Sequence, residues 1–502
     1  MFCIFQHFPG LAAFLCDGNF ASNSHFPIHV VRLLFPELLL SAVGLLLLAA
    51  DALLKKSKNV SLFLSISGCL GALFYLLACP VSGYAFNMVA VDPFAIFFKI
   101  LALCGCLATL LISENDDRLL GDQAGTYCAL LIFSVVGTMF LSSAQDLLLF
   151  FIALELTTIP LFILTGFLRR DNASTEGALK FFLIGAFSAG LTLYGISYVY
   201  GLCGSTNFVD ISDWFAMHQG QPHILFFLGI LFLFVGMGFK FSLFPFHQWT
   251  PDAYQGAPTA VTAFFSVSRE AGIVAFILRF FVTVVPMDAA GLSSLFMILS
   301  VLTMFVGNLS ALKQNNLKRL LAYSSIAHAG TIFIGLVANN ALGQEGVMLY
   351  SLNYMLMSFG AFAIISTITR LKNSEDISVL RGLSKDHLPL ALLLVVCLLS
   401  LAGIPPLLGF WGKFYVFYAA IQSKMYALVI LGLVNAVIAV YYYFRMIHMM
   451  FFEPAIASVK VERYADRSAQ LVSIFAAAAL IIYGIFPGPI LTWIKSSLQF
   501  LP

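Results

Sequence analysis

Gly238–Pro258, GFKFSLFPFHQWTPDAYQGAP, sets the ammonium of Lys240 in an apolar helical run just ahead of the helix-breaking Pro245. A charge at bilayer depth faces protein or water and marks an ion pathway. Leu401–Phe417, LAGIPPLLGFWGKFYVF, repeats the device with Pro405 and Pro406 close to Lys413. Backbone groups freed by such breaks are tolerated in a membrane only where protein or water satisfies them. Two amines on two interrupted helices therefore imply a route for protons.

The rest of the chain agrees with a membrane reading. Of its 502 residues 61% are hydrophobic and 10% charged, with mean hydropathy +0.96, which excludes a water-soluble globule. At about 20 apolar residues per crossing the chain holds about fourteen spans, beginning near Val31, Ser61, Phe94, Tyr127, Leu147, Ala178, Ile224, Ala257, Gly291, Lys318, Gly346, Leu390, Leu428 and Ala469. The fold class expected is an all-α integral membrane protein with no room for a soluble domain. Residues 1–29 lack the basic start and cleavage site of a signal peptide and read as a non-cytoplasmic leader.

Nine cysteines are scattered singly apart from Cys104 and Cys106, which lie in an apolar helix without His or carboxylate beside them, and they read as packing residues. No phosphate-cradling glycine loop or dinucleotide fingerprint is present, so no cofactor is expected in this chain. Basic residues gather in alternate loops, from Lys55, Lys56 and Lys58 through Arg169, Arg170, Arg319 and Arg381 to Arg467, while the opposite loops hold little beyond Lys424. The positive-inside rule then places both termini on the non-cytoplasmic side. Lys99, Lys180 and Arg279 fall within about two turns of expected helix ends and read as anchors snorkelling to headgroups.

Lys240, Lys413 and Arg269 are too deep for that reading. The fifth span, DLLLFFIALELTTIPLFILTGF, buries Glu155 near its middle, where a lone carboxylate costs about 2.5–3.5 kcal/mol. Lys240 is its natural partner: a carboxylate favours the ammonium and burial favours the amine, and these opposed effects let a lysine load and release a proton. A static ion pair locking two helices is the competing reading. In the eighth span Arg269 and Glu270 are adjacent, hence about 100° apart on a helix, so one lines a cavity and the other faces a neighbour. His328, in the tenth span, is a relay group or a packing group; the sequence leaves both open.

At this point the residues resemble a known family, the antiporter-like membrane subunits of respiratory complex I and of multisubunit cation/proton antiporters. The likeness runs from FPELLLSAVGLLLL at Phe35 through DLLLFFIALEL, EGALKFFLIGAFSAGLTLYGISYVYG, PFHQWTPDAYQGAPT, NNLKRLLAYSSIAHAG and SLAGIPPLLGFWGKF to NAVIAVYYYFRM. Its most discriminating piece is WTPDAYQGAP, Trp249–Pro258, since the larger L and M subunits typically carry a histidine after the aspartate and alanine.

The resemblance implies fourteen helices with two inverted five-helix repeats, over residues 127–285 and 291–449, whose seventh and twelfth helices are broken. Residues 30–126 would form helices one to three, and residues 450–502 a cytoplasmic loop and helix fourteen. It makes Glu155, Lys240 and Lys413 the proton relay, with Glu270, Arg269 and His328 as further candidates. Implied partners are neighbouring antiporter-like and small membrane subunits and the lipid bilayer, not nucleic acid. Other subunits would carry FMN and iron–sulfur clusters and bind quinone, and the implied location is a bacterial inner membrane. The family usually has a lysine on helix eight after a serine, where this chain reads Ser268-Arg269-Glu270. Arginine does not deprotonate, so Glu270, a fixed Arg269 charge or water must bridge the halves. The alternatives to a proton-pumping dehydrogenase subunit are a sodium/proton antiporter subunit and an inert scaffold.

Overall fold

Long apolar runs can satisfy their backbone in lipid only as helices, and caps written in the sequence decide where those helices start. The computed structural model describes residues 26–53, 58–79, 81–121, 123–218, 224–285, 291–454 and 466–499. Most of the leader, with Lys55, Lys56, Lys460 and Arg463, lies outside the described residues. The chain begins with α1 (Phe26–Leu33), α2 (Phe35–Leu53) and α3 (Lys58–Ala78), then an antiparallel hairpin of β1 (Gly83–Ala85) and β2 (Val89–Val91). Next come α4 (Pro93–Ser113), α5 (Ala124–Ser143), α6 (Leu147–Thr165), α7 (Asn172–Cys203) and the short α8 (Phe208–Met217).

α9 (Ile224–Lys240) breaks off and resumes as α10 (Trp249–Gly256). α11 (Thr259–Phe264) and α12 (Glu270–Thr283) are joined by a π-helical turn at Phe265–Arg269. α13 (Leu292–Ala311), α14 (Leu317–Val337) and α15 (Ala341–Lys372) lead, past α16 (Leu383–Asp386), to a second interrupted pair, α17 (Leu388–Ala402) and α18 (Leu408–Gln422). α19 (Tyr426–Phe452), α20 (Arg467–Ile485) and α21 (Gly488–Leu498) complete the order. Among the described residues twelve helices are long and apolar enough to cross a membrane, and α9 and α17 are the shorter apolar pieces whose spans continue beyond a break.

Two stretches share one order of elements. α6 is capped by Asp146, whose side chain accepts from Leu148 and Leu149 N–H, and α14 by Asn316, accepting from Arg319 N–H. Each capping residue also makes an isolated antiparallel bridge, Asp146 to Asn207 and Asn316 to Asp376. Each stretch then holds a helix of 32 residues, α7 or α15, before its broken helix.

The helix from Thr259 to Thr283, with α14 and α15, is almost wholly enclosed, whereas α2, α3, α7, α13 and α19 keep most of their surface outward. That outward surface is apolar, as at Leu45, Phe63, Phe187 and Val437, which suits lipid or neighbouring helices rather than water. Helices with no hydrophobic drive between them pack through small residues. A Cβ on Gly195 of α7 would come within 2.7 Å of the Gly229 carbonyl oxygen of α9, so glycine allows that crossing.

Two of the anchor expectations are corrected here. Lys99 does not snorkel: it is fully buried on α4 and pairs at 2.6 Å with Glu37 on α2. Arg279 is equally buried and holds Asp92 through two bonds of 2.8 and 2.9 Å, while Asp92 also caps α4 by accepting from Ala95 N–H. Each cation thus meets a carboxylate inside the bundle, Glu37 for Lys99 and Asp92 for Arg279. Lys180 remains half exposed, paired with Glu176 and Asp252.

Candidate functional site

Both breaks are held open by side chains and local turns. After Lys240 the chain turns through Ser242 at φ +59°, a conformation L residues adopt at a cost. The loop is tied down by Trp249 Nε1–H donating to the Phe239 carbonyl, Thr250 donating to Ser242 Oγ, and Phe244 N–H donating to Thr303 of α13. At the second break the residue of positive φ is Gly403, at +84°, where α17 stops.

Lys240 is the last residue of α9 and is buried. Its Nζ donates to Thr158 Oγ1 at 2.7 Å and lies 3.4 Å from Glu155 Oε1, with the rings of Phe162 and Phe239 centred 5.5 and 5.4 Å away. Glu155 and Thr158, three residues apart on α6, present one face to the amine. Glu155 is the more open of the ion pair, its side chain 20% exposed against 1% for Lys240.

Lys413 is held in another way. From the second turn of α18 its Nζ reaches back to the carbonyl oxygens of Leu401 and Ala402, 2.9 Å each, which are the last acceptors of α17. These orphan carbonyls form the negative end of a helix, and a cation there is favoured. A Cβ on Gly403 would fall 2.7 Å from Lys413 Cδ, so glycine serves both the turn and the lysine's path.

Lys413 shares a cavity of about 10 Å³, room for about one water, with His328, Thr331, Asn308 and Asn435. His328 is buried on α14, with Nδ1 2.7 Å from the Tyr350 hydroxyl and Nε2 2.9 Å from that of Tyr443. Tyr443 is also bonded to Ser324. Ser325, the next residue, donates to Glu270 Oε1 at 3.0 Å and lies 3.2 Å from the Tyr254 hydroxyl. α14 thus carries consecutive serines, one toward Glu270 and one toward the histidine and its tyrosines.

The structure therefore places Glu155 with Lys240, His328 beside the Lys413 cavity, and Glu270 on a serine of the same helix as His328. Glu270 comes directly after the π-helical turn that ends at Arg269, so the regular helix assumed from sequence does not hold there. A π turn adds a residue locally and shifts the facing of the residues beyond it. The side chain of Arg269 lies outside the described residues. Sequence reasoning missed Thr158, whose type is ordinary in an apolar helix, and the tyrosines around His328. It also missed a cluster in which Asp252 of α10 accepts from Lys180 at 2.8 Å and Arg319 at 2.6 Å. There Lys318 pairs with Glu375 at 2.6 Å. Among the described residues no group of three or more His, Cys, Asp or Glu side chains could hold a metal ion.

Comparison with known proteins gives a consistent picture. Residues 144–439 match the family model described as NADH:quinone oxidoreductase/Mrp antiporter, TM. NADH-quinone oxidoreductase subunit N of Trichlorobacter lovleyi is 38% identical over 477 residues, covering 94% of this chain and 97% of its own. A chain in the structure of respiratory complex I from Thermus thermophilus with bound aureothin is 33% identical, with TM-score 0.78, over 91% of this chain and 98% of that one. A chain of the Mrp complex from Dietzia is 17% identical with TM-score 0.82, over 94% and 97%, and so shares the fold.

Proposed function

Because this chain belongs to the NADH:quinone oxidoreductase/Mrp antiporter membrane-subunit family, we propose that Lys240 and Lys413 are proton-transfer stations on one route through it. The chain is a multi-pass membrane protein, a proton-translocating subunit of an NADH-quinone oxidoreductase, in the branch of the subunit N relatives. Identity of 38% to such a subunit against 17% to the Mrp chain favours the redox complex over a sodium/proton antiporter.

The observation that carries the site reading is that each amine stands at a helix break beside groups that can hold an ammonium, Thr158 and Glu155 for Lys240 and two backbone carbonyls for Lys413. Redox chemistry in partner subunits, which carry FMN and iron–sulfur clusters and bind quinone, alters the Glu155–Lys240 pairing. Lys240 then passes a proton toward Glu270 of α12 and Ser325 of α14, and His328 with Tyr350 and Tyr443 leads it to Lys413. From there it leaves on the non-cytoplasmic side, where both termini lie, against about 2.3 kcal/mol per 100 mV. This subunit itself performs no redox step. The shared order of elements supports two repeats, 127–285 and 291–449; in our reading they are inverted, and inverted repeats set the site at mid-membrane.

The test is proton uptake measured beside quinone reduction in liposomes containing the assembled complex. Glu155→Gln and Lys240→Ala are expected to assemble and to depress both rates by about a hundredfold, the lower end of what a positioned proton-transfer group contributes. Wild-type pumping in both variants would remove the pair from the route.

A further inference from the structure

The atom nearest the Lys240 ammonium is not on Glu155. Thr158 Oγ1 stands 2.7 Å from Nζ, while the carboxylate is at 3.4 Å, beyond the 2.7–2.9 Å usual for a charged nitrogen and oxygen in full contact. The threonine is buried, and its hydroxyl donates to the Leu154 carbonyl one turn back on α6, a bond that commits its proton. The oxygen is left to face the amine as an acceptor only. The rings of Phe162 and Phe239 flank the same ammonium, and the hydroxyl and carboxylate both reach it from α6.

We propose that Thr158 is a positioning residue of the proton route: its hydroxyl holds the Lys240 ammonium one short step from Glu155, so that the pair is poised rather than closed. The proposal rests on the reading of Glu155 and Lys240 as a working pair, and it adds a third group that sets their distance. A poised pair can be tipped either way by a modest change in field. A closed pair of buried charges is bound by its full attraction and resists opening. With the hydroxyl gone, the attraction of the carboxylate 3.4 Å away draws Lys240 onto it.

The test uses the assembled complex in liposomes, with proton uptake and quinone reduction as readouts. Thr158→Val keeps the shape of the side chain and replaces the hydroxyl by a methyl group. It is expected to lower coupled turnover about tenfold, which matches the value of one hydrogen bond to a charged group. Thr158→Ser restores the acceptor and is expected to recover most of that loss, which a packing role for the threonine methyl would not predict. In a Glu155→Gln background, with no carboxylate to close upon, Thr158→Val is expected to add nothing, the signature of two residues acting through one contact.

Wild-type turnover in Thr158→Val, failure of serine to rescue, or independent multiplication of the two effects would each overturn the proposal. Should the valine variant not assemble, Thr158→Ala creates room instead of crowding and carries the same expectations. Glu155→Gln measured alone decides the underlying pair reading, so a failure there is told apart from a failure of the threonine's role.

Discussion

Lys240 and Lys413 sit at comparable breaks, yet the two halves hold their amines by different means. α6 and α14 begin at the caps Asp146 and Asn316, and counting from each cap aligns their side chains. The ninth residue is Glu155 in one and Ser325 in the other; the twelfth is Thr158 in one and His328 in the other. In the first half the carboxylate and the hydroxyl both address Lys240. In the second, the serine takes its carboxylate from Glu270 of α12, and the amine rests on the carbonyls of Leu401 and Ala402. The first lysine is therefore governed by a side-chain charge that can shift, the second by backbone dipoles that cannot. A unit that accepts a signal benefits from the former, and one that delivers protons to a fixed exit from the latter.

Lys413→Arg attacks this contrast most directly. Arginine reaches the same carbonyls and keeps the charge but does not release a proton. If Lys413 titrates during turnover, proton uptake in liposomes falls by roughly a hundredfold while the complex still assembles. Pumping at the wild-type rate would make the amine a permanent cap for α17 and leave Lys240 as the one working lysine of the two.

Glu270→Gln asks whether the second half borrows its carboxylate. Glutamine keeps an acceptor for the Ser325 hydroxyl, so the fold is expected to hold, and coupled turnover is expected to drop by about tenfold through loss of the titrating group. Full activity would take Glu270 off the route and break the correspondence between Glu155 and Ser325.

How much of the fold and the site is legible in the sequence depends on whether a feature is local along the chain. Both breaks are readable because Pro245 and Pro405–Pro406 lie beside the lysines that matter and proline disfavours a helix interior, although Pro160 stands inside α6 without ending it. Asp92 and Asp146 cap α4 and α6, and capping is a matter of neighbouring residues that a sequence displays. The partners of Lys99 and Arg279 lie 62 and 187 residues away, at Glu37 and Asp92, and nothing short-range announces them. The π-helical turn before Glu270 carries no proline or glycine within Phe265–Arg269, so an uninterrupted helix is the natural expectation. Thr158 escapes for a further reason: its role comes from a distance of 2.7 Å to a residue 82 positions on.

Gly403→Ala tests whether the backbone is the governing element in the second half. At φ +84° an L side chain costs about 1–2 kcal/mol. The new Cβ would also stand 2.7 Å from Lys413 Cδ, so the lysine must move off the carbonyls of α17. Proton uptake is expected to fall several-fold without loss of assembly. An unchanged rate would show that the carbonyl cradle is dispensable and that the cavity beside His328 suffices to position the amine.

The smallest effect is expected at the matching residue of the first break. Ser242, at φ +59°, carries the strain that glycine avoids at Gly403, so Ser242→Gly relieves about 1–2 kcal/mol of it. Against that stand the conformational freedom glycine adds to the unfolded chain, about 0.5–1 kcal/mol, and the bond Thr250 donates to Ser242 Oγ, about 1 kcal/mol. The sum lies within about 1 kcal/mol of zero, and the thermal midpoint of the solubilised complex is expected to move little. Coupled turnover is the more telling readout, because Lys240 is held by Thr158 and Glu155 on α6, which the substitution leaves in place. A variant with unaltered stability but sharply reduced pumping would show that the first lysine, like the second, depends on the backbone of its own break, and the distinction between the halves would narrow to their side chains.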